Sequence, residues 1–216
     1  MTTKVELLEV FGNDLMVINA ARVSFGKQKK QFDDKDDKLM KYLIDHQHTS
    51  PFRHPQLQFR ITCPIYIERQ IFKHQTGLSA NSISGRYVDF SDSYTTIENW
   101  RKQSADKKQG SDESLPEETQ KYCAVIEDRV IDYCKGAYKN LLEIGVSKEQ
   151  ARTILPLNLN TTFIWTGSLM AFLHLFKLRL KDNAQEETRI VAQQMLDKIK
   201  EYPGNPFAMT LKHYNL

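Results

Sequence analysis

The sequence predicts a single α+β domain, a small mixed or antiparallel sheet packed with helices, spanning residues 1–216 with a mobile insert at 99–118. Three observations predict it. Strand-like stretches near 4–10, 54–62 and 158–166 are interleaved with seven or so helical ones. At 216 residues the chain holds one sizeable core, with at most one elaboration. The lack of a Gly-x-Gly-x-x-Gly element argues against a dinucleotide-binding Rossmann domain.

Composition narrows the function classes. A formal charge of +3 is too small and dispersed for a nucleic-acid surface, and a few anionic groups would account for local concentrations of arginine. Cys63, Cys123 and Cys134 are odd in number and lack metal or redox spacing, and no apolar run reaches membrane length. The first residues, Met-Thr-Thr-Lys-Val-Glu, lack a signal-like apolar core. The expectation is a cytoplasmic protein with neither nucleic acid nor membrane as partner.

Lys4 to Val10 reads as a short strand, and Asn13 or Asp14 can cap a helix carrying Leu15, Val17, Ile18 and Ala21. Lys27 to Asp37 is a charged, solvated connector, and a helix resumes from Asp36 to Asp45 with Leu39, Met40, Leu43 and Ile44. In His46-Gln47-His48-Thr49-Ser50-Pro51-Phe52-Arg53-His54, three histidines crowd a helix end. Their spacing, with no cysteine or carboxylate to complete a set, disfavours zinc, and a polar helix terminus is the plainer account. Residues 55–62 alternate with period two, Leu57, Phe59 and Ile61 inward and Gln58, Arg60 and Thr62 outward.

Cys63 to Tyr87 is the stretch that carries chemistry. Pro64 suits the first turn of a helix. On a helical wheel Arg69, Lys73, Tyr66, Gln70 and His74 share one arc of about 140°, opposite Ile65, Ile67, Ile71 and Phe72. Helix propensity collapses over Thr76 to Gly85, where hydroxyl and amide side chains and two glycines form a loop able to approach a phosphate. A solvated face followed by a surface turn has the same composition.

Val88 to Tyr94 extends briefly, and Asn99 to Glu118 is a polar insert that could serve as a lid. A long helix from Glu118 to Ile144 repeats Tyr122, Val125, Ile126, Val130, Tyr133 and Ala137 at three-four spacing, with Gly145 as its stop. Ser147 and Gln150 form a capping-box pattern opening a short helix that carries Arg152. Leu157 to Thr166 favours a strand. Ser168 to Leu180 is apolar nearly all round and should be buried, with a further helix from about Asn183 to Tyr202 and a short one over 207–214. In the apolar helix His174 reads as a satisfied core histidine and Lys177 as a rim residue. Arg179 either snorkels out or faces a charged ligand.

The order Glu68-Arg69-Gln70-x-Phe72-Lys73-His74-Gln75, then a loop ending Ser82-x-Ser84-Gly85-Arg86-Tyr87, resembles the signature of the flavin-dependent thymidylate synthases: Arg-His-Arg, seven residues, Ser. Here Lys73-His74-Gln75 replaces Arg-His-Arg, and eight residues separate Gln75 from Ser84. The segment His48 to His54 resembles the family's His-x-Thr/Ser-Pro-Phe-x-His, and the run from Ala151 to Thr166 with a helix ending Leu178-Arg179 resembles its second block.

The resemblance implies a homotetramer with sites between subunits that makes dTMP from dUMP. Methylenetetrahydrofolate would supply the carbon, and FAD reduced by NADPH the hydride. It implies that Gln70, Ser84, Gly85, Arg86 and Arg152 hold dUMP, with Ser84 at the base end. Arg179 would bond the uracil imide, making Arg179 and Ser84 the catalytic pair. Ser50, Lys73, His74, Gln75, Ser82, Ser168, Met170 and His174 occupy FAD-contact positions, Ser82 in place of a Glu and Met170 in place of an Arg. No metal is implied. Two alternatives stand beside this: a catalytically altered nucleotide- or flavin-binding member of the same fold, and a cysteine-nucleophile enzyme using Cys63 beside a helix N-terminus.

Overall fold

The computed structural model describes residues 3–89, 91–105 and 110–216. Thus Phe90, in the brief extension, and residues 106–109 of the insert lie outside the described residues. The main sheet has four strands in the order β1 (Lys4–Phe11), β2 (Gln56–Pro64), β6 (Asn160–Ser168) and β3 (Leu78–Ser82), and every pairing is antiparallel. The expected mixed or antiparallel sheet is therefore wholly antiparallel.

Period-two alternation sets the register. Leu57, Phe59, Ile61 and Cys63 of β2 are buried on one face, and Phe59 stands opposite Leu7 of β1 and Trp165 of β6. A bulge between Leu7 and Glu9 takes up the one irregularity in β1. Against this face lies α6 (Leu169–Arg179), whose Phe172 meets Phe59 and Trp165 edge-on at centroid distances of 5.1 and 5.6 Å. Leu169, Leu173, Leu175 and Phe176 are also fully buried, several against α7 (Glu186–Glu201) through Val191, Met195, Leu196 and Ile199. Each such side chain contributes about 1.5–3 kcal/mol by leaving water.

The ends of the chain are tied together. Asn13 caps α1 (Asp14–Arg22), accepting from Met16 N at 3.0 Å. The buried Asp14 carboxylate accepts from Met209 N, Thr210 N and Thr210 Oγ1 at 2.7, 3.1 and 2.6 Å, fixing α8 (Ala208–His213). The connector after α1 is less solvated than its charge suggests. Asp36, at the start of α2 (Asp34–Asp45), is fully buried between Arg22 at 2.5 Å and Lys29 at 2.7 Å. Those partners are what make its burial tolerable.

Four further sequence expectations are corrected. The loop 76–85 contains strand β3, because the outer edge of β6 supplies partners to residues with little β propensity of their own. The basic helix α3 (Ile65–Ile71) is shorter than its wheel implied: Phe72 caps it, so Lys73 and His74 lie in the following turn. His174 is exposed, since α6 leaves a strip containing His174, Lys177 and Leu178 outside the core. Ser147 opens α5 (Lys148–Ala151) with no side-chain cap bond, its carbonyl accepting instead from Gln150 N and Ala151 N.

The insert carries a two-stranded antiparallel hairpin, β4 (Arg101–Gln103) and β5 (Ser111–Ser114). It is fastened to α4 (Glu117–Glu143) by Gln120, whose Oε1 accepts from Trp100 N at 2.7 Å and whose Nε2 donates to Trp100 O at 2.8 Å. On α4 the repeated apolar row is open: Tyr122, Ile126, Val130 and Tyr133 are 67, 45, 48 and 79% exposed. No helix among the described residues is long and apolar enough to cross a membrane.

Candidate active site

Helix α3 follows β2 without a loop. Its first N–H groups need partners outside the helix, and Ile65 N and Tyr66 N donate to Leu159 O and Leu157 O at 3.0 and 3.1 Å. Ile67 and Ile71 anchor it in the core, which turns Gln70 toward the end of α6. There Arg179 Nε donates to His74 Nε2 at 2.9 Å and Nη2 to Gln70 O at 3.2 Å. Burial, then the neighbouring Arg179 and His174, holds the His74 pKa below its ordinary value, so the neutral ring serves as acceptor. Burial also pulls the Arg179 pKa down. Among the described residues Arg179 makes no ion pair, and its charge faces a cavity of about 580 Å³ whose lining includes Gln70, Arg101, Asp182, Gln185 and Glu186.

A second group lies beyond the far end of β3. Ile83 N donates to Thr162 O at 2.8 Å, and a tight turn follows in which Tyr87 N and Val88 N both donate to Ser84 O. Arg86 curls back, its Nε 3.5 Å from Ser84 Oγ and its guanidinium 5.0 Å from the Tyr87 ring centre. Lys148 Nζ reaches Tyr87 O at 3.4 Å, which brings the turn to α5, and Arg152 follows α5 with Nε donating to Glu149 O at 3.4 Å. Among the described residues neither Arg86 nor Arg152 makes an ion pair, and both are exposed. Gly85 is buried in the turn. Ser84, Gly85, Arg86 and Arg152 do not line the cavity that holds Gln70 and Arg179.

Of the FAD-position residues, Ser168 and Met170 lie buried at the start of α6 and His174 on its exposed strip. Met170 and His174 line a cavity of about 400 Å³ with Thr49, Lys177, His213 and Tyr214, and the Tyr214 hydroxyl donates to Met170 Sδ at 3.7 Å. Ser50, beside Thr49, is exposed at the start of a 3₁₀ turn whose Pro51 and Phe52 are buried. Ser168 is buried and caps α6 by accepting from Ala171 N at 3.3 Å. Gly77, at φ +74°, passes so near that a Cβ on it would meet Ser168 Oγ at 3.2 Å, which carries the Lys73-His74-Gln75 turn past the start of α6. Lys73 and Gln75 are exposed. Ser82 stands apart at the other end of β3, donating to Glu68 Oε1 at 2.6 Å.

Several participants escaped the sequence reading. Arg101, Gln185, Glu187 and Thr188 form a hydrogen-bonded chain ending on Gln70. The run Ala184-Gln185-x-Glu187 was the available signal, but it also reads as an ordinary helix start. Cys63 is excluded as a nucleophile: it is fully buried, and burial followed by the charge of Glu68 pushes its pKa up to about 12.

The His74 shift has a measurable sign. An unfolded chain takes up the proton near 6.5 and the folded chain only at lower pH, so stability is lost as pH falls from about 6.5 through the folded-state pKa. His74→Gln keeps an acceptor for Arg179 and removes the titration. Its urea midpoint should fall less than that of the wild type between about pH 6.5 and 5.5, and parallel curves would remove His74 from the account.

The family profile described as "Thymidylate synthase complementing protein" matches residues 6–203. The flavin-dependent thymidylate synthase of Thermus thermophilus is 40% identical over 197 residues, 91% of this chain and 71% of that one. The one from Wolbachia pipientis wMel is 38% identical over 202 residues, 92% and 70% of the two chains. Among solved structures, the UMP/dUMP methylase PolB from Streptomyces cacaoi bound with 5-Br dUMP superposes with a TM-score of 0.88 at 25% identity, over 99% of this chain and 94% of that one.

Proposed function

The chain belongs to the flavin-dependent thymidylate synthase family, and from that premise we propose that it reductively methylates dUMP to dTMP, with methylenetetrahydrofolate as carbon donor and NADPH-reduced FAD as hydride source. The observation that carries this reading is a cation at the end of a buried helix that makes no ion pair among the described residues. Arg179 is oriented by a neutral imidazole and a carbonyl, neither of which neutralises it, and it faces a cavity shared with Gln70. A charge left uncompensated in a half-buried position favours an anionic ligand.

Uracil carbon five is a poor nucleophile until the ring gains electron density. A fixed guanidinium stabilises the developing imide anion and needs no covalent attack by the protein. Arg179 has this role, with Ser84 at the base end of the nucleotide. Arg86 and Arg152, exposed and without ion pairs among the described residues, suit a phosphate. The flavin, when bound, supplies the reducing equivalents. Ser50, Lys73, His74, Gln75, Ser168, Met170 and His174 are the residues that would hold it; the close approach of Gly77 to Ser168 and the exposed His174 and Lys177 on α6 fit such a group, whereas Ser82 lies at the far end of β3.

Ser84, Arg86 and Arg152 do not line the cavity that Arg179 faces, and in this reading a complete site takes residues from two chains. The open apolar row of α4 supports assembly, here a homotetramer. Anaerobic mixing of reduced, FAD-loaded protein with dUMP and methylenetetrahydrofolate should yield dTMP. A flavin-binding protein that gives no product would instead be the catalytically altered member of the fold.

A further inference from the structure

Gln70 belongs to a chain of hydrogen bonds whose direction is fixed at its far end. Its Nε2 donates to Gln185 Oε1 at 3.1 Å, Gln185 Nε2 donates to Glu187 Oε2 at 3.0 Å, and Thr188 Oγ1 donates to Gln70 Oε1. Either amide could be turned end for end if its neighbours could both donate and accept. The Thr188 hydroxyl can do both, but an ionised carboxylate only accepts. Glu187 therefore faces the NH₂ end of Gln185, Gln185 turns its oxygen to Gln70, and Gln70 turns its nitrogen to Gln185.

The carboxylate that sets this direction is itself held by the insert. Glu187 is 6% exposed, and Arg101 Nη2 donates to its Oε1 at 2.6 Å. Arg101 is locked in turn by Glu186 at 2.8 Å and by Ser111 Oγ at 2.6 Å on the facing strand of the hairpin. Burial alone would raise the Glu187 pKa, but the Arg101 bond, the backbone and Gln185 carry it below its ordinary value. Thr188 is fully buried, and Gln70, Gln185, Arg101 and Arg179 all border the one cavity.

We propose that Arg101 and Glu187 are positioning residues that make Gln70 offer its second amide N–H, and not its carbonyl, to the pyrimidine in the Arg179 cavity, so that the site prefers a uracil over a cytosine nucleotide. This rests on the dUMP reading above. At its 4-position uracil presents a carbonyl acceptor where cytosine presents an amino donor, so a donor fixed toward that position pairs with one and opposes the other. The insert thus acts on base choice through Gln185 without touching the base.

The test is the ratio of dCMP to dUMP dissociation constants, measured by calorimetry on FAD-loaded protein. Glu187→Gln replaces the obligate acceptor with a group that can face either way. The dUMP preference should shrink at least tenfold, chiefly through tighter dCMP binding, which simple loosening of the fold would not produce. Gln185→Met cuts the chain between Glu187 and Gln70 and should act in the same direction, so one variant that fails to fold leaves the other. Glu113→Gln, on the same hairpin and paired with exposed Lys102, should leave the ratio unchanged. If the wild type prefers dUMP and both chain variants keep its ratio, the positioning role is wrong. If the wild type binds no dUMP, the dUMP reading falls and this assignment with it.

Discussion

Arg179→Ala should cut dTMP formation by at least about 100-fold, the usual cost of removing one donor aimed at a developing anion, while dUMP affinity falls only several-fold. The asymmetry follows from where the two kinds of interaction sit. In the proposed function, phosphate contacts from Arg86 and Arg152 would be made equally in ground and transition states and so would govern affinity. The proposed Arg179 contact would strengthen only as the uracil imide takes up charge and so would govern rate. Arg179→Lys should fall between, because it keeps a charge but loses the fork that spans His74 and Gln70 O. Single-turnover product formation beside dUMP titration separates the two quantities, and full turnover in the alanine variant would remove Arg179 from the chemistry.

Gly167→Val should damage stability and nucleotide binding together. A Cβ at Gly167 would lie 2.5 Å from Gly77 O and would overlap the Leu78 side chain. Gly77 O cannot easily yield, because it accepts from Ser168 N at 3.2 Å and leads directly into the Leu78–Gly167 pair that begins β3. The added side chain therefore forces β3 off the sheet edge, at a cost of about 3 kcal/mol, or roughly a 6–12 °C fall in Tm for a chain of this size. Ser84, Gly85 and Arg86 follow β3, so dUMP affinity should fall at least tenfold as well. Gly136→Ala, where nothing lies within 4 Å, is the control and should leave both unchanged or slightly improved. A stable Gly167→Val protein with normal affinity would show that β3 does not set the position of the 84–86 turn.

How much of the site was legible can be judged residue by residue. The signature around Gln70 to Arg86 and the block from Ala151 to Arg179 pointed to Arg86, Arg152 and Arg179, which make no ion pair among the described residues. What they did not reveal was partnership. Lys73 and His74 looked like members of a helix face, yet the helix ends at Ile71 and His74 becomes an acceptor for Arg179. His174 looked like core because nearly every neighbour in α6 is apolar, and it is exposed. The polar insert carries Arg101, and no local pattern distinguishes an arginine held by Glu186 and Glu187 from one in water.

The sequence alone determined the elements with strong local signals: β2 by alternation, β6 by its Thr, Phe, Ile and Trp content, α4 by three-four spacing, α6 by its apolar circumference. Those patterns are local, because a side chain's place on its own strand or helix follows from backbone geometry. Only the tertiary structure decided the strand order, the recruitment of a Ser/Asn-rich stretch as edge strand β3, the exposure of the apolar row on α4, and which arginines line the cavity of Arg179. Each of these depends on what a surface meets after packing, and periodicity shows which face of an element is apolar without saying what, if anything, comes to cover it.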